Sequence, residues 1–167
     1  DDLRELEAHG LRALGWDPNF APEADLVESD IVNIGFVINV IEDPVERIEA
    51  LQRAHSLSRK FTVISAMIAG ESTMARFEPF GDGVLTSRNT FQKYFSQSEL
   101  QHFIEQSLDS EAVAAAPGIF IVFKDKDEEQ SFFLNKNKRH QNWTKLSERP
   151  ETKGSHELQY VKNRELL

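Results

Sequence analysis

The chain has no cysteine, which excludes a disulfide framework, a thiolate metal site and a thiol nucleophile. It also lacks any apolar run near the roughly 20 residues of a membrane-spanning helix. The opening Asp1-Asp2-Leu3-Arg4-Glu5 is the opposite of a secretory leader's basic start. A cytoplasmic, membrane-free protein is therefore expected. Basic charge is scarce too: the formal net charge of -9 opposes non-specific adhesion to nucleic acid, because such binders neutralise phosphates with a Lys/Arg face. The histidines, His9, His55, His102, His140 and His156, show no metal-ligand spacing, and no serine sits in a G-x-S-x-G elbow. Neither a metal site nor a hydrolase nucleophile is expected.

What is present suits one globular domain with a real core: 167 residues, 40% hydrophobic and 28% charged. Charge is unevenly spread. Residues 135–167 hold eight Lys/Arg against four Asp/Glu, a net of +4, which leaves -13 for residues 1–134. The expected organisation is an α/β domain over 1–134, then a basic, polar extension or linker over 135–167, in which Trp143 stands among lysines and arginines.

Leu3 and Leu6 at helical spacing, followed by Gly10, predict a first helix with its stop signal. "LRALGWDP" reads as a short strand ending at Asp17-Pro18. "DIVNIGFVINVIEDP" (30–44) begins as a buried strand although it contains Asn33, Gly35 and Asn39. Asp43 then suits an N-cap and Pro44 a first helical position, predicting a helix over 44–58 with Ile48, Leu51, Ala54 and His55 facing inward. "KFTVISAMI" (60–68) is β-branched and reads as a strand. A long polar connection with the turn Gly81-Asp82-Gly83 follows. Ser96 and Glu99 form a capping box ahead of a helix whose inner face is Leu100, Phe103, Ile104, Ser107 and Leu108. A strand over 118–124 and a short last helix with Phe132, Phe133 and Leu134 complete the pattern. Apolar strands alternating with amphipathic helices predict a doubly wound, mostly parallel α/β sheet covered on both faces. In such sheets ligands lie at the carboxyl ends of the strands.

The segment 30–65 resembles the part of class I S-adenosylmethionine-dependent methyltransferases in which a fourth strand leads through a loop of type "vLeHl-dP" and a helix to a fifth strand. Val40 stands where many members have histidine, and Ser58-Arg59-Lys60 where a glycine pair is usual, so no role of that histidine transfers. The blocks "GWDP", "DIVNIGFVINVIEDPVER", "GDGVLTSRNTFQKYFSQSEL" and "AAPGIFIVFKD" together resemble the methyltransferases associated with bacterial DNA phosphorothioation gene clusters. The resemblance covers roughly residues 1–133. It implies a Rossmann-like fold, S-adenosylmethionine as cofactor, and DNA or DNA-modification proteins as partners.

Within that resemblance Asp17 is expected to bind ribose, and Gly35 and Phe36, with Asn33 beside them, to border the methionine side of the cofactor. Asn33 and Asn39 are alternatively expected to bond loop backbone. Asp82, Arg88 and Tyr94 are the expected acceptor-side residues, on a segment read as a lid, with Arg88 able to touch a DNA phosphate. Glu42 and Asp43 form no expected acid/base pair, because Asp43 has a sufficient task as cap. The family's first strand and D-x-G-x-G cofactor loop have no counterpart in this sequence, whose first helix corresponds to the one that follows the loop. An N-terminally incomplete methyltransferase is the leading expectation, and a catalytically silent binding or regulatory module of a DNA-modification complex is the other.

Overall fold

A computed structural model describes residues 2–17 and 23–140. Residues 141–167, with Trp143 and most of the basic extension, lie outside the described residues, as does Pro18. The chain divides into two units, Asp1–Glu129 and Gln130–Leu167.

Helix α1 (Asp2–Ala8) ends where the sequence predicts. Gly10 takes φ 76° and the Leu11 amide closes back onto the Leu6 carbonyl at 2.9 Å, the left-handed exit that glycine tolerates best. The strand expected over 11–17 does not form: residues 11–16 are irregular and Asp17 makes only an isolated bridge. Leu11, Leu14 and Trp16 are exposed, so the segment has no burial on a sheet to offset the ordering of its backbone.

The next three elements are a strand–helix–strand unit: β1 (Ser29–Gly35), α2 (Pro44–Ser56) and β2 (Ser58–Ser65). The strands run parallel, with Ile34 opposite Ile64 and Gly35 opposite Ser65. Helix α2 begins as predicted, the Asp43 carboxylate accepting from the Val45 amide at 2.7 Å with Pro44 in the first turn. After β2 come a single helical turn, α3 (Glu71–Met74), and a small antiparallel sheet of β3 (Glu78–Phe80), β4 (Gly83–Leu85) and β5 (Phe91–Gln92). Helix α4 (Gln97–Leu108) carries both halves of the Ser96/Glu99 capping box. Strands β6 (Val113–Ala116) and β7 (Ile119–Phe123) precede α5 (Lys126–His140). In the second unit only the continuation of α5 is described, where the Phe132 and Phe133 rings meet edge-on at 5.9 Å.

The fold is mixed α/β, but the larger sheet corrects the expectation of a mostly parallel one. Its order is β1-β2-β7-β6, with β1–β2 the one parallel pair and β7 antiparallel to both of its neighbours. The cause is local. Parallel neighbours need a crossover of a dozen or more residues, whereas β6 and β7 are joined by Pro117-Gly118 alone. Proline followed by a positive-φ glycine suits a tight reversal, and Gly118 sits at φ 72°. The strands therefore fold back as a hairpin, and β7 docks antiparallel on β2, Phe120 opposite Ile64.

Side chains on alternate positions of the sheet (Ile34, Ile64, Phe120 and Val122) join Leu51 of α2 and Leu100 and Ile104 of α4 in one core that also takes Ile38, Ala66, Phe95 and Ala112. Two polar groups within or beside it are paired internally. The Ser58 hydroxyl donates to the His55 carbonyl at 2.8 Å, and Thr62 donates to Ser58 at 2.9 Å. With both hydroxyl protons committed, the His55 ring must donate Nδ1–H to Thr62 across 2.9 Å. Burial, then the charge of Lys124, hold the His55 pKa below its ordinary value of 6.5. The unfolded chain thus binds the proton more readily, so this contribution to stability is complete above pH 6.5 and declines as pH falls through that value towards the folded pKa. Thermal melts at pH 7.5 and 5.5 should show a loss of stability that His55→Gln reduces. An unchanged pH dependence in that variant would remove His55 as its source.

Candidate functional site

The carboxyl end of β1 is where an α/β sheet offers a ligand position, and three predicted residues meet there. Asn33 and Gly35 share one face of the strand. A Cβ built on Gly35 would meet only the Asn33 amide, at 3.5 to 4.0 Å, so the two form a contiguous polar surface. Phe36 follows in the left-handed region at φ 57°, the residue 55% exposed and its amide donating to the Ser65 carbonyl at 2.8 Å. A bulky residue in that region is a true outlier, costing about 1–2 kcal/mol. The turn it makes sends the chain into residues 37–42, where Ile38 is buried and the Asn39 carbonyl accepts from the Lys93 amide at 2.7 Å. The expectation that Asn39 bonds loop backbone through its side chain is not met at Oδ1, which is buried with no hydrogen-bond partner among the described residues.

Asp17 is half-buried at its isolated bridge. Without a strand over 11–16 it lacks the second-strand setting from which a ribose-binding role was expected.

The acceptor-side residues lie in three different surroundings. Asp82 is at the tip of the β3–β4 hairpin, beside Gly81 at φ 56°. Its carboxylate accepts a fork from Arg47, Nη1 at 2.7 Å and Nη2 at 3.1 Å, and lies 3.4 Å from Lys93 Nζ. The hydrogen bond from Arg47 is the main reason that its pKa lies below the ordinary carboxylate value, with the charges of Arg47 and Lys93 adding to it against the opposing effect of burial. Arg88 is exposed in a turn tied by Thr86 and Thr90, whose hydroxyls are 2.7 Å apart, and its amide donates to Thr86. Tyr94 is half-buried and stacks on Phe77, rings 5.9 Å apart and 18° from parallel.

Two cations that the motif reading missed organise this region. Arg47 is 1% exposed; besides Asp82 it donates to the Ile41 and Glu42 carbonyls, and its guanidinium lies 5.8 Å from the Phe91 ring centre. Lys93 is 9% exposed; it pairs with Glu99 at 2.8 Å, donates to the Asp82 carbonyl and lies 4.9 Å from the Phe95 ring centre. Arg47 was legible in principle. It stands four before Leu51 and seven before Ala54, on the helix face already predicted to turn inward. Between the hairpin tip and the start of α2 is an open cleft of about 490 Å³, lined by Glu42, Asp43, Pro44, Glu46, Phe80, Gly81, Asp82 and Phe91. Of the predicted site residues, only Asp82 is part of its lining.

No protein-family model matches the sequence, and no curated protein matches it. Among the described residues, no helix is long and apolar enough to cross a membrane, and no group of three or more His, Asp or Glu side chains is arranged to hold a metal ion.

Proposed function

We propose that the chain carries part of a class I methyltransferase-like domain, with S-adenosylmethionine against the carboxyl end of β1, and that it acts in the cytoplasm in a bacterial DNA phosphorothioation setting. The observation that carries this reading is Phe36, a strained and half-exposed aromatic at the end of a strand that runs parallel to its successor. Strain of this kind concentrates where a fold prepares a ligand surface. The order strand, capped helix, parallel strand is the one the resemblance implies, and mixed sheets are common among doubly wound folds.

The residues present fit one wall of a cofactor site. Gly35 leaves backbone open to close approach, the Asn33 amide offers a donor and an acceptor, and the Phe36 ring offers an apolar face. Bound there, the cofactor would supply a methyl group from its sulfonium to a nucleophile, leaving S-adenosylhomocysteine. The chain's part is to position the reactants. The D-x-G-x-G loop that forms the opposite wall in the family has no counterpart in this sequence.

A second reading, a catalytically silent binding or regulatory module in a DNA-modification complex, is favoured by the use of Asp82 as an ion-pair anchor instead of an open acceptor ligand. Calorimetric titration with S-adenosylhomocysteine separates the two, using this chain and a form extended at its amino terminus by the coding sequence upstream. Binding by either supports the cofactor reading; binding by neither sinks it. In a binding-competent form, Phe36→Gly is expected to weaken affinity about tenfold while stability stays within about 0.5 kcal/mol, because relief of the left-handed backbone offsets the lost ring contacts. Unchanged affinity would remove Phe36 from the site.

A further inference from the structure

The β3–β4 hairpin differs from the rest of its unit in how it is held. Every residue of β3 is exposed, and of β4 only Val84 is buried. Neither strand contributes to the main core. Its roots are secured: the Phe77–Tyr94 stack lies just before β3, and Lys93 and Phe95, beyond β5, donate backbone bonds to the Asn39 and Met67 carbonyls. Between these roots the hairpin is attached through two register pairs to β5, Val84 with Gln92 and Leu85 with Phe91, through the close approach of Gly83 to the Phe91 ring and the Gln92 carbonyl, and through the Asp82 contacts at its tip. The two cations that grip Asp82 have other partners of their own, the Ile41 and Glu42 carbonyls for Arg47 and Glu99 for Lys93. Losing Asp82 therefore leaves each cation anchored to the body. The tip is thus a detachable plug in a socket that persists without it.

We propose that the β3–β4 hairpin is a flap that opens locally while the four-stranded sheet stays folded, and that the Asp82 ion cluster is the clasp that holds its tip against Arg47 and Lys93 as one wall of the cleft at the start of α2. Segments with few buried apolar groups and solvent-exposed backbone bonds form the low-stability end of a native structure. The clasp supplies what burial does not. Opening withdraws Phe80, Gly81 and Asp82 from the cleft and leaves Phe91 and Arg47 as its floor, so access to this side of the molecule is set by one carboxylate.

Among the described residues, the charged groups around Asp82 are Arg47 from α2, Lys93 after β5, Glu99 from α4 reached through Lys93, and Glu42, Asp43 and Glu46 along the same cleft. Because the pKa of Asp82 is lowered on folding, its contribution is fully present above the ordinary carboxylate value and is lost as pH falls through the folded value. Acid should open the clasp. Opening of the flap requires no cofactor.

Hydrogen exchange read by mass spectrometry on the whole chain tests it. At neutral pH, Asp82→Asn should raise exchange in peptides covering 78–85 by about 10- to 100-fold, with peptides covering β1, β2 and β7 unchanged. In the unaltered chain, rates corrected for intrinsic pH dependence should show the same selective gain below pH 4, so the test survives a variant that folds poorly. Equal acceleration of hairpin and sheet would show the cluster to be part of global stability, and no acceleration in 78–85 would show that Asp82 holds nothing shut. Either result overturns the flap.

Discussion

Arg47→Lys is expected to destabilise the protein nearly as much as Arg47→Ala, by about 3 kcal/mol in urea denaturation. The guanidinium serves the Ile41 and Glu42 carbonyls and both Asp82 oxygens at once while almost wholly buried. An ammonium has the same charge but one nitrogen, so it can reach one side of this fork and leaves the other group without its donor. The cost is a property of geometry, since charge is kept. A lysine variant within about 0.5 kcal/mol of the parent would show that charge alone is needed.

Gly118→Ala is the second large effect. A Cβ at this position would stand 2.7 Å from the Ala66 carbonyl oxygen, and the backbone is at φ 72°. The glycine cannot shift to make room, because its amide donates to the Gln97 side chain at 2.8 Å and its carbonyl accepts from the Ala66 amide at 3.0 Å. Left-handed strain and overpacking each cost about 1–3 kcal/mol, so a loss of roughly 3 kcal/mol is expected. Gly10→Ala is the control: it has a comparable φ of 76° with nothing within 4 Å of the new Cβ, and should lose about 1 kcal/mol. Equal losses at the two sites would mean that the contact with Ala66 is relieved at no cost.

The elements legible in the sequence are those whose signals are local. Asp43-Pro44 sets the start of α2, Ser96 and Glu99 that of α4, and β-branched runs mark β1, β2 and β7. Strand β6 reads Val-Ala-Ala-Ala and carries almost no strand signal. It exists because Pro117-Gly118 returns it to β7, which is a property of pairing. The same turn decides strand direction, and alternation of strands with helices outweighed it in the expectation of a parallel sheet. Strands β3 and β4, three residues each with Pro79 among them, are too short for a period to show. Conversely, "LRALGWDP" has the apolar content of a strand but pairs with no strand over residues 11–16. At the site, Asn33, Gly35 and Phe36 were found by their oddity within an apolar run. Arg47 and Lys93 escaped because a buried cation is visible only once its partners, distant in sequence, are assembled around it.

The mixed direction of the larger sheet also orders its assembly in time. The β6–β7 hairpin pairs residues adjacent in the chain, Ala116 with Ile119, and loses little entropy on closing. The β1–β2 pairing must await its helical crossover, and joining β2 to β7 brings together Phe61 and Phe123, the most separated partners in the sheet. Refolding should therefore be governed by the meeting of two preformed halves along that one seam, where non-local contact is the slow event.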